Sequence, residues 1–361
     1  HGGGGDMSPT PTRSGLGSPT MASERPEYWA PFAPGGDAGI DTAICERLLA
    51  EALNRGGDYA DLFFEYRRSG GFNYDEGILK SASRSVAMGL GVRVQSGDAT
   101  GYAYTEELSW DAMRRASQTA AGIAASGGAV EPVGLRPRDL PHRYELSRYS
   151  LDEPAKEKRE LLERASAAAL AYDPMIVRAQ SSFAEGRREV LICTSDGRWC
   201  FDVQPMIRFN VRAVAERKGQ QQDGRSGGGG RMNMAYFEGK SPEWHAAQAA
   251  RQAVAMLDAE EAPAGQFEVV LAPGDSGILL HEAIGHGLEA DFNRKGTSRY
   301  AGQIGEKVAA AGCTVVDDAT LLQSRGSINV DDEGMDPGRN VLIEDGILVD
   351  YMHDRLSARH Y

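Results

Sequence analysis

Cysteine is scarce in this chain: four in 361 residues, Cys45, Cys193, Cys200 and Cys313, with no C-x-x-C pair among them. That excludes a disulfide-stapled scaffold and any motif of paired cysteines. Cys193 and Cys200 flank the turn Ser195-Asp196-Gly197 and could face each other across a hairpin, but reduced, buried thiols are expected. Long apolar runs are missing as well. Nothing approaches the roughly 20 residues that a bilayer-spanning helix needs, so no membrane role is expected. Basic residues are outnumbered, 39 Lys and Arg against 52 Asp and Glu, for a net charge of −13. This balance argues against a nucleic-acid surface, favours solubility and gives a mild attraction for basic peptides. No basic segment followed by an apolar one marks the start for secretion, which makes the cytoplasm the expected location.

Histidine is rare too, seven in all, yet two stand close together in His281-Glu282-Ala283-Ile284-Gly285-His286, directly after Ile278-Leu279-Leu280. Two neutral imidazoles can hold a zinc ion, and a carboxylate beside the first can take a proton from the attacking water. The familiar zinc signature, H-E-x-x-H, puts its histidines four apart on one helical face. Here they are five apart, which a regular helix of about 3.6 residues per turn separates by roughly 140°. A π-bulge adds one residue to a turn and restores the shared face. The glycines Gly285 and Gly287 tolerate such a distortion. The spacing therefore predicts a helix entering near Ser276, with Ser276 or Asp275 as its cap, and perturbed around Gly285. The competing reading is a buried helix that holds two histidines by chance, and the scarcity of histidine weighs against it.

The run from Ile278 to Phe292 resembles the TldD branch of the TldD/PmbA family of metallopeptidases. The likeness continues through Gly305-Glu306-Lys307-Val308-Ala309, Thr314-Val315-Val316-Asp317-Asp318, Asp331-Asp332-Glu333-Gly334 and Tyr351-Met352. Upstream it takes in Ser195-Asp196-Gly197 and the glycine run ending at Arg231. The resemblance implies an intracellular zinc peptidase that cuts unstructured peptides, as a homodimer or with a paralogous subunit that lacks the metal motif. His281 and His286 then match the family's histidine ligands and Glu282 its catalytic acid. A third ligand, a cysteine thiolate, is implied beyond the equivalent of Tyr361. Cys313 reads instead as buried in a strand, and Glu289 and Asp291 are weaker substitutes. The alternative to a peptidase is a non-catalytic peptide-binding or scaffold subunit, for which the missing thiolate counts and against which Glu282 counts. A metal hydrolase of non-peptide amides also fits the motif.

Hydrophobic content of 41% supplies real cores, and the length suggests two domains. Residues 1–26 read as a disordered tail, with Met21 a candidate natural start. An N-terminal domain is expected over 27–240, a linking helix and joint over 241–265, and a C-terminal metallopeptidase domain over 266–361. Helices are expected at 41–54, capped by Asp41, and at 110–125, 155–171 and 244–257. Strands are expected at 59–66, 85–95, 101–105, 179–183, 189–194 and 198–216, with hairpin turns at Glu185-Gly186 and Ser195-Asp196-Gly197. Later strands are expected at 267–271, 314–316, 327–330, 341–344 and 347–352. Clustered hairpins beside segregated helices give the fold class α+β: an antiparallel sheet with helices, then a mostly β domain carrying the metal helix. Gln220 to Gly230 reads as a mobile loop or connector, with Gly227, Gly228, Gly229 and Gly230 as candidate substrate-binding residues. It lacks the ending of a phosphate loop. Asp331-Asp332-Glu333 reads as a solvated acidic turn, and His142 and His245 as surface histidines.

Overall fold

A computed structural model describes residues 28–125, 131–144, 146–274 and 276–361 of the chain. The tail expected over 1–26 lies outside these, as does Asp275. Helix α1 (Thr42–Leu53) begins where the Asp41 carboxylate accepts the Ile44 N–H at 2.9 Å. It buries Cys45, Leu48, Leu49, Ala52 and Leu53. Two long strands follow, β1 (Tyr59–Asp75) and β2 (Ile78–Ser96), and β3 (Ala99–Thr105) turns back on β2 across Gly97. After α2 (Trp110–Ala124), the two-residue β4 (Arg136–Pro137) and α3 (Ala155–Tyr172) come β5 (Ile176–Thr194), β6 (Arg198–Arg217) and β7 (Gln220–Gly230). Among the described residues these seven strands form one sheet in the order β3-β2-β1-β5-β6, with β4 and β7 both on the far side of β6. All its pairings are antiparallel except β4 with β6.

Strand alternation sorts the sheet into two faces. Leu62 and Phe64 of β1 meet α1 and α2 in one core, and Phe72 meets α3 and α5 (Pro242–Met256) in another. The α+β class holds. Helix α5 belongs to the second core through Ala246, Ala249, Ala250 and Ala253. Its close approach requires Gly224, where a Cβ would stand 2.1 Å from the Ala249 carbonyl oxygen. The opposite face carries Phe63, which packs with Val190, Ile192, Cys200 and Val330.

Several expectations are corrected here. β5 runs straight through Glu185-Gly186, because Gly186 pairs with Ser69 on one side and Met206 on the other. Gln220 to Gly230 is no mobile loop but β7, held by eleven residues of β6 from Ile207 to Arg217. Cys193 and Cys200 do not oppose each other; Cys193 lies across from Trp199, and both thiols are buried and free. Residues 267–271 form no strand: no described strand pairs with them, and Val269 and Val270 are 72% and 96% exposed. Residues 327–330 also stay irregular and instead plug the sheet, with Asn329 accepting the Arg143 N–H at 3.0 Å and Val330 buried.

His245 is the clearest reversal. It is 1% exposed, with Nδ1 2.8 Å from the Ser226 hydroxyl and Nε2 2.9 Å from that of Tyr236 in the short helix α4 (Tyr236–Gly239). Its place four and eight residues before Ala249 and Ala253 puts it on the helix's buried stripe, a period visible in the sequence. Burial, with a smaller push from Lys240, drives its pKa down to about 4 from the ordinary 6.5. The unfolded chain then takes up a proton that the folded chain refuses. Stability is expected to be level above pH 6.5 and to fall as pH drops from 6.5 toward 4. Urea unfolding at pH 7 and pH 4.5 checks this: His245→Gln should flatten the difference, and an unchanged slope would contradict the assignment.

Candidate metal centre

After Ala272, a five-residue helix, α6 (Ser276–Leu280), runs into one π turn at His281–Gly285 and one tight turn at His286–Leu288. The N–H of His286 donates to the carbonyl of His281, five residues back. That one hydrogen bond is the distortion the spacing predicts, and Gly285 sits within it. The two imidazole rings stand 4.6 Å apart between centroids, inclined at 67°. Glu282 joins them, its Oε2 3.7 Å from His286 Nε2. Ligand atoms of His281, Glu282 and His286 all lie within 4.8 Å of one another, and all three residues are exposed.

Donors around a zinc ion at about 2.0–2.1 Å sit roughly 3.3 Å apart in a tetrahedron. Rotamer changes in these exposed side chains can bring the two imidazoles to that spacing with Glu282 beside them, so the residues fit a small divalent cation. The donor set is soft enough for zinc, with imidazole nitrogen leading.

Sequence reasoning weighed Glu289 as a substitute ligand. The structure places it elsewhere: its Oε1 accepts a hydrogen bond from the Nδ1–H of His286 at 2.7 Å. This bond, reinforced by the charges of Glu289 and Glu282, holds the His286 pKa above its ordinary value. It also fixes the tautomer, because a carboxylate accepts only, leaving Nε2 to face Glu282 and any cation. The signal was present as the i, i+3 spacing of His286 and Glu289. Asp291 is engaged with Lys295 at 3.8 Å in α7 (Ala290–Arg294). Cys313 is exposed rather than buried, on a turn before β8 (Val315–Asp318). Metal titration by calorimetry should find Glu289→Ala about 10- to 100-fold weaker than the parent for zinc; equal affinity would remove Glu289 from this role.

Ile284 and Leu288 anchor the turn against Leu342, Ile343 and Tyr351, where β9 (Arg339–Glu344) meets β8 and the short β10 (Ile347–Leu348). The preceding apolar residues point outward: Ile278, Leu279 and Leu280 are 63%, 55% and 47% exposed. The acidic turn is a strap rather than a solvated loop. Glu333 meets Arg93 at 2.7 Å and accepts the Arg355 N–H, at the start of α8 (Arg355–Ala358), while Asp332 reaches Arg188 at 3.4 Å. Around Gly227 to Gly230, no atom of His281 or His286 is among the three nearest an added Cβ, and the histidine that is, at Gly228, is His245. The atoms nearest a Cβ added there belong to Phe209, Asn210, Tyr236, Ile207 and Gln323. No helix of the described residues is long and apolar enough to cross a membrane.

Two imidazoles and a carboxylate gathered within 4.8 Å on an α+β fold define the class, a candidate metal centre. Residues 60–124, 148–257 and 264–361 match, in turn, domain 1, the central domain and the C-terminal domain of the PmbA/TldA metallopeptidases. The metalloprotease TldD homolog of Haemophilus influenzae is 38% identical over 330 residues, covering 89% of this chain and 68% of its own. That of Buchnera aphidicola from Acyrthosiphon pisum is 37% identical over 319 residues, covering 86% of this chain. The chain belongs to the PmbA/TldD family of metallopeptidases. It spans about two thirds of the length of these relatives, 66% in the Buchnera case. A solved structure from Thermotoga maritima superposes with a TM-score of 0.74 over 88% of this chain and 72% of its own, at 19% identity, which shows the fold alone.

Proposed function

We propose that this protein is a zinc peptidase for unstructured peptides, with His281 and His286 as metal ligands and Glu282 as general base. The observation that carries the reading is the π turn, whose His286 N–H to His281 carbonyl bond sets both imidazoles and the acid on one side. A bound zinc supplies Lewis-acid polarisation of the scissile carbonyl and lowers the pKa of water toward neutrality. Glu282 takes the proton of the attacking water and delivers it to the leaving amine nitrogen. Glu289 keeps His286 in the tautomer that binds. Two imidazoles fall short of the three protein ligands usual at catalytic zinc, so a third donor is part of the proposal. Gly227 to Gly230 would serve a substrate only through the outer backbone edge of β7, which no described strand covers.

The exposed strip of Ile278, Leu279 and Leu280 supports an assembly in which a second copy or a paralogous subunit lies against this helix. The decisive experiment is cleavage of a disordered fluorogenic peptide by the purified protein before chelation, after chelation and after zinc is restored. Loss and recovery of cleavage support the reading. Cleavage indifferent to chelator would overturn it, and peptide binding without cleavage in all three states would favour a scaffold subunit.

A further inference from the structure

The face of the sheet opposite the helices carries two adjoining cavities over β1, β2 and β3, of about 290 Å³ and 240 Å³. They share Phe63, Gly91 and Tyr102 and so form one cleft. Gly89 and Gly91 of β2 are part of its lining. A Cβ at Gly91 would stand 2.8 Å from the Tyr102 hydroxyl, so the missing side chain is what lets that ring lie over the strand. Tyr102 and Tyr104 alternate along β3, the outermost strand of the sheet, and are 56% and 72% exposed. Both rings line the cleft, which leaves their faces available for stacking.

Charge around the cleft is one-sided. Asp61 and Glu333 share Arg93, Glu65 and Asp332 share Arg188, and Glu106 at the rim has no ion-pair partner among the described residues. Five carboxylates therefore stand with the paired guanidiniums of Arg93 and Arg188, and Arg231 lies within electrostatic reach of Asp332. Arg67, one register step beyond Glu65 and opposite Ala87, marks the end of the acidic stretch. At its other end the cleft is walled by the Asp332-Glu333 strap of the unit that carries the metal helix. The same unit reaches the β2–β3 turn again through Arg294 on Asp98, at 3.0 Å.

Exposed tyrosine faces beside the unpaired Glu106 and an excess of carboxylates over guanidiniums are the chemistry that recognises a lysine or arginine side chain, by cation–π attraction and charge together. We propose that this cleft binds the basic side chains of an extended peptide lying along β3, and so selects basic substrates for the proposed peptidase. The net charge of −13 acts in the same direction at longer range. The proposal rests on the peptidase reading only for its consequence in turnover; the binding is measured apart from it.

The test uses two fluorescein-labelled disordered peptides of equal length, one with lysines and one with serines in their places, titrated by anisotropy in chelator so that no cleavage intervenes. The lysine peptide is expected to bind at least about tenfold tighter, a gap that shrinks at high salt. The gap should vanish in the Tyr102→Ala/Tyr104→Ala double variant, persist in the corresponding Phe pair, and narrow in Glu106→Gln, a change at an exposed side chain that leaves the sheet intact. Equal binding of the two peptides, binding of neither, or a gap that survives the alanine pair would overturn the proposal. Selective binding without cleavage once zinc is restored keeps the cleft and removes the peptidase. Cleavage of both peptides without selective binding does the reverse.

Discussion

Glu282→Gln is expected to lower peptide turnover by about 10²- to 10⁴-fold while zinc content stays unchanged. The amide matches the carboxylate in volume and keeps one acceptor oxygen, but it offers no basic site for the proton of water. The side chain is 64% exposed and its Oε2 lies 3.7 Å from His286 Nε2, so nothing in the fold depends on it. Its place is set by the backbone of the π turn, one residue after the first imidazole. The variant therefore separates chemistry from metal binding. His286→Ala does not, because it removes a donor and the His286–Glu289 bond at once. Single-turnover cleavage and metal analysis of the dialysed proteins give the two readouts. A variant that cleaves at the parental rate would refute the general-base role, and one that loses its zinc would show that Glu282 is a ligand instead.

The part of the site that a reader of the sequence can find is the part fixed by covalent spacing. Two imidazoles five positions apart, with glycine beside the second, leave few ways to share a cation, and the π turn is the one adopted. Glu289 needed one more step, from spacing to the identity of its partner atom. What stayed hidden depended on residues far away in the chain. Residues 267–271 have the composition of a strand and no strand beside them. The glycines of β7 resemble a loop until Tyr236 is seen lying where a side chain at Gly228 would go, 1.8 Å from its Cβ. Asp331-Asp332-Glu333 reads as solvated because Arg93 and Arg188 are more than a hundred residues away in sequence. The α+β class survived these misreadings because it rests on the period-two alternation of β2 and β6 and the helical periodicity between them, both local properties.

Glu185 shows how a distant partner rewrites a local signal, and it leads to the largest stability effect expected in this protein. Glu185-Gly186 looks like a turn, yet β5 continues through it with Glu185 fully buried. Lys158 of α3, equally buried, meets it at 3.0 Å and also donates to the Glu153 carbonyl at 2.9 Å. Gly70 across on β1 has no side chain, which leaves room for the carboxylate: a Cβ there would be 2.9 Å from Oε1. Removing the ammonium leaves the buried carboxylate with only the half-exposed Arg84 guanidinium, 3.8 Å from Oε1, and breaking a buried pair from one side costs about 3–5 kcal/mol. Lys158→Met is therefore expected to lower the urea midpoint sharply at unchanged slope. Lys158→Met with Glu185→Leu removes both charges, and because replacing a whole buried pair by apolar groups is often neutral, most of the loss should be recovered. The comparison isolates the stranded charge from the lost packing. If the double variant were as unstable as the single, the pair's worth would lie in the packing of α3 on β5 and not in its electrostatics. A full recovery would mean that the charges contribute little net stability to the packing of α3 on β5.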